Sequence, residues 1–243
     1  MCLIAVISDV HANLSALEAV LADADRQGCI EIWCLGDMVG YGSNPNECVD
    51  TLRAREAKCV MGNHDAAVAA ITGLTTFNPI ARIAGLWTSK VLSEANRDFL
   101  TGLPDRLDAG NRCLLVHGAP DDRSRYLWTS WDFSQTAQAL RTEGDFDVCF
   151  YGHTHIPMVS DAKRTWADNT KARTLIDGGP FLVNPGSVGQ PRDGNPDASW
   201  LLWDPVSRRI EFRRVTYDIG HAQGHIRAAG LPDMLADRLG CGQ

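Results

Sequence analysis

Short apolar runs that stop abruptly at histidine, glycine or carboxylate set the rhythm of the first 155 residues. Leu3–Ile7 is continuously apolar, as a strand buried on both faces must be, and it gives way to Ser8-Asp9-Val10-His11. Residues 30–35 repeat this and end at Gly36-Asp37; residues 57–61 end at Gly62-Asn63-His64-Asp65. Residues 112–116 lead into His117-Gly118, and residues 147–150 lead into Tyr151-Gly152-His153-Thr154-His155. Between the first two runs, Asn13 can cap a helix whose apolar positions Leu14, Leu17, Val20 and Leu21 recur at helical spacing, and Gly28 ends it. Strand, helix, strand in that order predicts a parallel pair joined by a crossover. Open α/β sheets build their sites at the carboxyl ends of strands, where these polar segments fall.

The remaining pattern fills in the frame. Residues 40–45 are loop by composition, a helix is predicted over 45–54, and residues 66–102 are mainly helical with breaks near Gly73 and Asn78-Pro79. Residues 121–132 hold Arg123, Arg125, Tyr126, Trp128 and Trp131 without periodicity, which predicts a loop or cap; a short helix is expected over 135–141. After Pro157 come short β-rich segments at 158–160, 173–176, 181–184, 199–203 and 209–215. Turn signals separate them at Asp177-Gly178-Gly179 and Asp204-Pro205, which predicts a second, largely antiparallel sheet. Residues 221–239 look helical, interrupted at Gly230 and Pro232. With no internal repeat and no Gly/Ser linker, one domain over 1–243 is expected, with a core to about 217 and a helical tail over 218–243.

Composition narrows the function classes. The 243 residues are 44% hydrophobic and 22% charged, enough for a substantial core. A formal net charge of −7 argues against a general binder of nucleic-acid backbones, though bound cations would reverse the local charge for a small phosphorylated or nucleotide substrate. Cys2, Cys29, Cys34, Cys59, Cys113 and Cys149 lie in or beside apolar segments with no CxxC pair, which suits reduced thiols in a cytoplasmic protein. No run is long enough to span a membrane, and Leu3–Ile7 is too short for a signal sequence. Nothing in the pattern bears on oligomeric state.

The strand-end groups Asp9, His11, Asp37, Asn63, His117, His153 and His155 are candidate metal ligands, about the set that two cations sharing one carboxylate require. Mixed oxygen and imidazole donors suit Mn²⁺, Fe, Zn²⁺, Ni²⁺ or Co²⁺ better than Ca²⁺, and Mg²⁺ remains possible. The absence of thiolates argues against a structural zinc site. Each residue alone would be an ordinary polar group at a strand end. Ser187 has no G-x-S-x-G frame, so a serine-hydrolase reading fails. His221 and His225 are four apart on a predicted helix but lack a carboxylate partner motif, and are read as surface residues.

Asp9-Val10-His11, Gly36-Asp37, Gly62-Asn63-His64-Asp65, His117-Gly118 and Gly152-His153-Thr154-His155 resemble, in order, the blocks of the calcineurin-like metallophosphoesterases. Gly40-Tyr41-Gly42 and the stretch from Asn184-Pro185-Gly186 to Pro191-Arg192 look like a bacterial phosphodiesterase-type branch. The resemblance implies an α/β fold, a four-layer αββα sandwich of two packed mixed sheets. It implies that Asp9, His11, Asp37 and His155 hold one metal, and Asp37, Asn63, His117 and His153 the other, with manganese favoured. It further implies in-line attack on phosphorus by a metal-bridging hydroxide. His64 would protonate the leaving oxygen, with Asp65 orienting it or raising its pKa; some small bacterial relatives have cysteine at the His64 position. Asn63 and Arg192 are candidate contacts to substrate, Arg192 alternatively being a solvated partner of Asp193. Arg123 and Arg125 could reach substrate or stay solvated, and Trp128 and Trp131 could stack on a base or simply pack their loop. Phosphodiesters are favoured; the alternatives are a phosphomonoesterase, a protein phosphatase or a dinucleoside polyphosphate hydrolase. From another class comes a non-catalytic scaffold, such as the retromer subunit of this fold.

Overall fold

A computed structural model describes residues 3–161, 165–166, 172–175 and 179–243. Cys2, the end of the predicted 173–176 strand and Asp177-Gly178 of the predicted turn lie outside those residues. Two six-stranded mixed sheets pack face to face with helices on both outer sides, an αββα sandwich. The first sheet runs β3 (Lys58–Cys59), β2 (Cys29–Cys34), β1 (Leu3–Ile7), β11 (Ala198–Asp204), β12 (Arg209–Val215), β9 (Arg173–Thr174). The second runs β4 (Arg106–Gly110), β5 (Cys113–Val116), β6 (Val148–Phe150), β10 (Phe181–Asn184), β7 (Met158–Ser160), β8 (Thr165–Trp166).

Period-two alternation explains why the strands read as unbroken apolar runs. Ile4 and Val6 of β1 face the other sheet with Leu115, Phe150 and Val183, while Ala5 and Ile7 face α1 (Leu14–Gln27) and α2 (Pro45–Ala54). On the far side, Leu114, Cys149 and Leu182 pack on α6 (Ser130–Glu143) through Phe133 and Leu140. Each sheet contains a parallel trio, β3-β2-β1 at one end of the first and β5-β6-β10 inside the second, with antiparallel strands beside it. The carboxyl ends of both trios open on the same edge of the sandwich, which is what gathers the polar segments.

The expected separate antiparallel sheet after Pro157 does not form. β9, β11 and β12 extend the first sheet, while β7, β8 and β10 extend the second. The physical reason is burial: every residue of β11 is buried, because Leu201 and Trp203 serve the layer between the sheets while Trp200 and Leu202 serve the helix side. A strand so covered belongs inside an existing sheet. The helical region before β4 resolves into α3 (Asn63–Val68), α4 (Pro79–Val91) and α5 (Glu94–Thr101), so α3 starts within the Gly62-Asn63-His64-Asp65 block. The helix expected over 135–141 starts earlier, at Ser130, because Thr129 caps it and Asp132 closes the capping box. The tail forms α7 (Ile219–Ala228) and α8 (Asp233–Asp237), with breaks where Gly230 and Pro232 fall. Among the described residues no helix is long and apolar enough to cross a membrane, and Cys34, Cys48, Cys59, Cys113 and Cys149 are buried free thiols.

Asp23 joins α1 to β12. Its carboxylate accepts from Arg213 Nε at 2.9 Å, Trp200 Nε1 at 3.2 Å and Arg26 Nη2 at 3.0 Å. Burial raises its pKa, but the hydrogen bonds and charges of Arg213 and Arg26 outweigh that and hold it below the usual carboxylate range. A lowered pKa means the stabilisation is present above the unfolded value near pH 4 and is lost as pH falls through the folded value. Asp23→Ala is expected to cost about 2 kcal/mol at pH 7. In urea denaturation, its gap from wild type should shrink below pH ~4 as the wild-type carboxylate is protonated.

Candidate metal centre

The site is stitched from loops before any side chain is considered. After β1 the chain follows the loop after β2, with Asp9 N donating to Gly36 O at 3.1 Å and His11 N to Asp37 O at 2.9 Å. Gly152 N donates to His117 O at 2.8 Å, tying the loop after β6 to that after β5, and His153 N donates to Asp9 Oδ2 at 3.0 Å. Ser187 Oγ donates to Asp9 O at 2.8 Å and accepts from Gln190 N, its structural task here. Gly152 is required by proximity: a Cβ there would lie 1.9 Å from Ser8 Oγ and 2.9 Å from Asp9 Oδ2. Asp9, His11, Asp37, His153 and His155 all have left-handed backbones, with φ of 55°, 48°, 52°, 67° and 61°. Non-glycine residues pay roughly 1–2 kcal/mol each for that conformation, which only a heavily cross-linked surround can impose.

Four histidines have their tautomers fixed by carbonyl acceptors. His11 Nδ1 donates to Val39 O at 3.1 Å, His117 Nδ1 to Leu35 O at 2.7 Å, and His155 Nδ1 to Gln190 O at 2.6 Å. Each therefore presents Nε2 as a lone pair. His153 is reversed: Nε2 donates to Ser124 O at 3.1 Å and Nδ1 is the lone pair.

These lone pairs face one another. His11 Nε2 and His155 Nε2 are 3.1 Å apart, and His155 Nε2 is 3.3 Å from Asp9 Oδ1, a buried oxygen with no hydrogen-bond partner. His117 Nε2 is 3.1 Å from Asn63 Oδ1 and 3.3 Å from Asp37 Oδ2. Asp37 Oδ2 also lies 3.7 Å from His11 Nε2, so one oxygen reaches both groups, while Asp37 Oδ1 accepts from His64 N at 2.8 Å. Acceptors pointing at acceptors in a dry interior demand positive charge between them. Asp9, His11 and His155 form one cluster able to hold an ion; Asp37, His117 and His153 form another.

The electrostatics agree with the donor chemistry. Burial pushes His11 and His155 well below the ordinary imidazole value and His153 down to about 3, leaving their lone pairs available. Burial opposes the charge of Asp37 too, but the neighbouring His117 and His64 keep it well below the usual carboxylate range. Burial holds Asp9 up at about 6. Burial also works against a charged His117, yet the Asp37 charge and hydrogen bond outweigh it and hold the imidazole up at about 9. With Nδ1–H already given to Leu35, that extra proton would sit on Nε2 and compete with a cation for the same oxygens.

His64 sits beside both clusters, its imidazole pushed down to about 4 by burial, and its buried Nδ1 has no partner. It is wedged by rings: Tyr41 at 4.5 Å, Phe77 at 4.7 Å and His11 at 4.9 Å between centroids. The hydrogen bonds of Asp65, expected to orient His64 or raise its pKa, go to backbone amides instead. Its Oδ1 accepts from Val39 N at 3.2 Å and its Oδ2 from Gly62 N at 3.0 Å, because α3 begins at Asn63 and turns the carboxylate back onto its own N-terminus.

A cleft of about 310 Å³ opens over these groups, lined among others by Asn63, His64, Arg192, Phe77 and Tyr126. Arg192 does not pair with Asp193, which bonds Arg214 instead; its Nη2 donates to Gln190 Oε1 at 2.9 Å and its guanidinium lies over the Tyr41 ring. Arg123 is paired with Asp105 and Arg125 with Asp121, and neither lines the cleft. Trp128 and Trp131 are exposed and also lie outside it. His221 and His225 lie 4.2 Å apart between ring centroids, tilted at 50°, and join no cluster among the described residues. The cleft aromatics Phe77 and Tyr126 were not singled out by motif, since both lie in segments without periodicity.

Comparison with known proteins adds four findings. The sequence profile described as "Calcineurin-like phosphoesterase superfamily domain" matches residues 2–205. The chain is 40% identical over 244 residues to uncharacterized protein MJ0912 of Methanocaldococcus jannaschii, covering 99% of this chain and 98% of that one. Its structure resembles a metallophosphoesterase from Sphaerobacter thermophilus, at 39% identity and TM-score 0.86 over 100% and 99% of the two chains. The hypothetical protein PH1004 of Pyrococcus horikoshii OT3, at 18% identity, TM-score 0.82 and coverage of 100% and 99%, shares the fold.

Asp65→Ala should act on stability first. It leaves two buried amides without acceptors, an expected cost of roughly 2–4 kcal/mol by denaturant unfolding. If stability is unchanged and only turnover falls, the backbone task assigned to Asp65 is wrong.

Proposed function

The chain belongs to the calcineurin-like phosphoesterase superfamily, and from that premise we propose that it hydrolyses phosphate esters, preferring diesters, at a centre for two divalent ions. Asp9, His11, Asp37 and His155 would hold one ion; Asp37, Asn63, His117 and His153 would hold the other. Manganese is the first choice for a set mixing hard oxygen with borderline imidazole donors. When bound, such ions supply Lewis-acid activation of water and neutralise charge on the phosphoryl oxygens. The observation that carries the proposal is the reach of Asp37 Oδ2, 3.3 Å from His117 Nε2 and 3.7 Å from His11 Nε2.

The chain's own side chains do the rest. Asn63 turns Oδ1 toward His117, which leaves its amide N–H groups for a phosphoryl oxygen in the cleft. Arg192, braced by Gln190 and by the Tyr41 ring, supplies the one guanidinium among the described residues lining the cleft. A single cation beyond the ion ligands matches the single charge of a diester better than the two charges of a monoester. His64 donates to the leaving oxygen; the negative phosphoryl group raises the proton affinity that burial removes. Phe77 and Tyr41 hold its ring in place of the hydrogen bond that Asp65 does not make.

Purified protein loaded with Mn²⁺ should hydrolyse bis(p-nitrophenyl) phosphate faster than p-nitrophenyl phosphate; the reverse order would make it a monoesterase, and inactivity on both would sink the enzyme claim. Asp37→Ala is expected to lower activity more than about a hundredfold and to reduce the bound metal, measured by elemental analysis, below two ions per chain. His64→Ala should slow alkyl esters at least roughly tenfold more than nitrophenyl esters. An equal loss on both would mean that His64 only binds the phosphoryl group.

A further inference from the structure

The cleft has walls that ion binding does not need. On one side Phe77, just before α4, sets its ring edge-on to His64 at 4.7 Å and 83°. From the loop after β5, Tyr126 lies nearly flat on His153, with centroids 3.9 Å apart and planes at 23°. Both line the cleft, and neither is spent on its contact: Phe77 is half-buried and Tyr126 keeps 47% of its surface exposed. Aliphatic side chains would keep water from the ligands as well. What rings add is a flat, electron-rich face offered to whatever enters.

Charge and size limit the occupant further. Among the described residues, apart from the candidate ligand Asp37, no carboxylate lines the cleft, and Arg192 is its one guanidinium or ammonium group. That is recognition for one phosphoryl group, since a polyphosphate chain calls for several cations. About 310 Å³ lies at the small end of ligand pockets, room for a phosphoryl group and one ring system rather than a peptide or a nucleic-acid strand.

We infer that the substrate is a small, singly phosphorylated ester carrying a flat unsaturated ring close to phosphorus, and that Phe77 and Tyr126 are the specificity-determining residues on which that ring stacks. The inference rests on the phosphoesterase reading and names its substrate class. Nucleobase and aryl group share the required chemistry, a planar π system.

The test is binding of non-hydrolysable phosphonates to the Mn²⁺-loaded protein by calorimetry. Methylphosphonate probes the phosphoryl subsite alone. Cyclohexylphosphonate adds bulk without a flat face, phenylphosphonate adds the face, and a nucleoside 5′-phosphonate separates base from aryl. Phenylphosphonate or the nucleoside phosphonate should bind about tenfold more tightly than cyclohexylphosphonate. In Phe77→Leu/Tyr126→Leu that preference, each affinity taken relative to methylphosphonate on the same variant, should fall to within about twofold, and Phe77→Tyr/Tyr126→Phe should restore it. Equal binding of the flat and puckered rings to wild type, or an unchanged preference in the leucine variant, overturns the stacking inference while leaving the phosphoesterase reading intact. Failure of methylphosphonate to bind, together with inactivity on both nitrophenyl esters, overturns both.

Discussion

Electron pairs held against one another in a dry interior are the constraint around which this protein is arranged. Two imidazole nitrogens 3.1 Å apart, and a third 3.3 Å from a carboxylate oxygen, repel unless positive charge lies between them. At His11, His153 and His155 each ring has given its one N–H to a backbone carbonyl outside the cluster, whereas His117, held up by Asp37, can carry a second proton inward. The outward hydrogen bonds thus fix orientation and reserve the inward lone pairs. They also mean that the loops and the ligands cannot be altered independently.

The sandwich bears the cost of this arrangement. Two parallel trios with their carboxyl ends on one edge bring loops from β1, β2, β3, β5 and β6 within reach of each other. Backbone hydrogen bonds between those loops then force five of the candidate ligands into left-handed conformations that side-chain-bearing residues ordinarily avoid. A layer containing Trp33, Phe150 and Trp203, buried between the sheets, supplies the stability against which that strain is held.

Much of the centre was legible in the sequence because its residues are of rare chemical type at a recognisable place, the end of an apolar run. Asp9, Asp37 and His117 needed no knowledge of the third dimension to stand out. The sheet membership of the late strands was not legible, since β11 is covered on both faces and carries no inside-outside pattern to say which partner it has. Edge strand β4 was missed for the opposite reason: Arg106–Gly110 has no β-branched residue and no buried position, exposed residues alternating with half-buried ones. The start of α6 was readable in principle from Thr129 and Asp132, three apart. Asp65 shows the limit of carrying a role by position. Its neighbour in sequence is His64, but the start of α3 sends its carboxylate to Gly62 and Val39 instead.

Tyr41 touches both the chemistry and the periphery. Its ring packs on His11 and His64, underlies Arg192, and belongs to the apolar cluster of Ile226, Leu235 and Leu239, with Arg238 over it at 6.0 Å. The stretch that matches the family profile ends at residue 205, yet the helices that press on this ring begin at Ile219. Relatives with a different tail would therefore meet the same ligands with a differently braced arginine and imidazole. Divergence in the tail is thus a route by which selectivity could change while every ligand block stays the same.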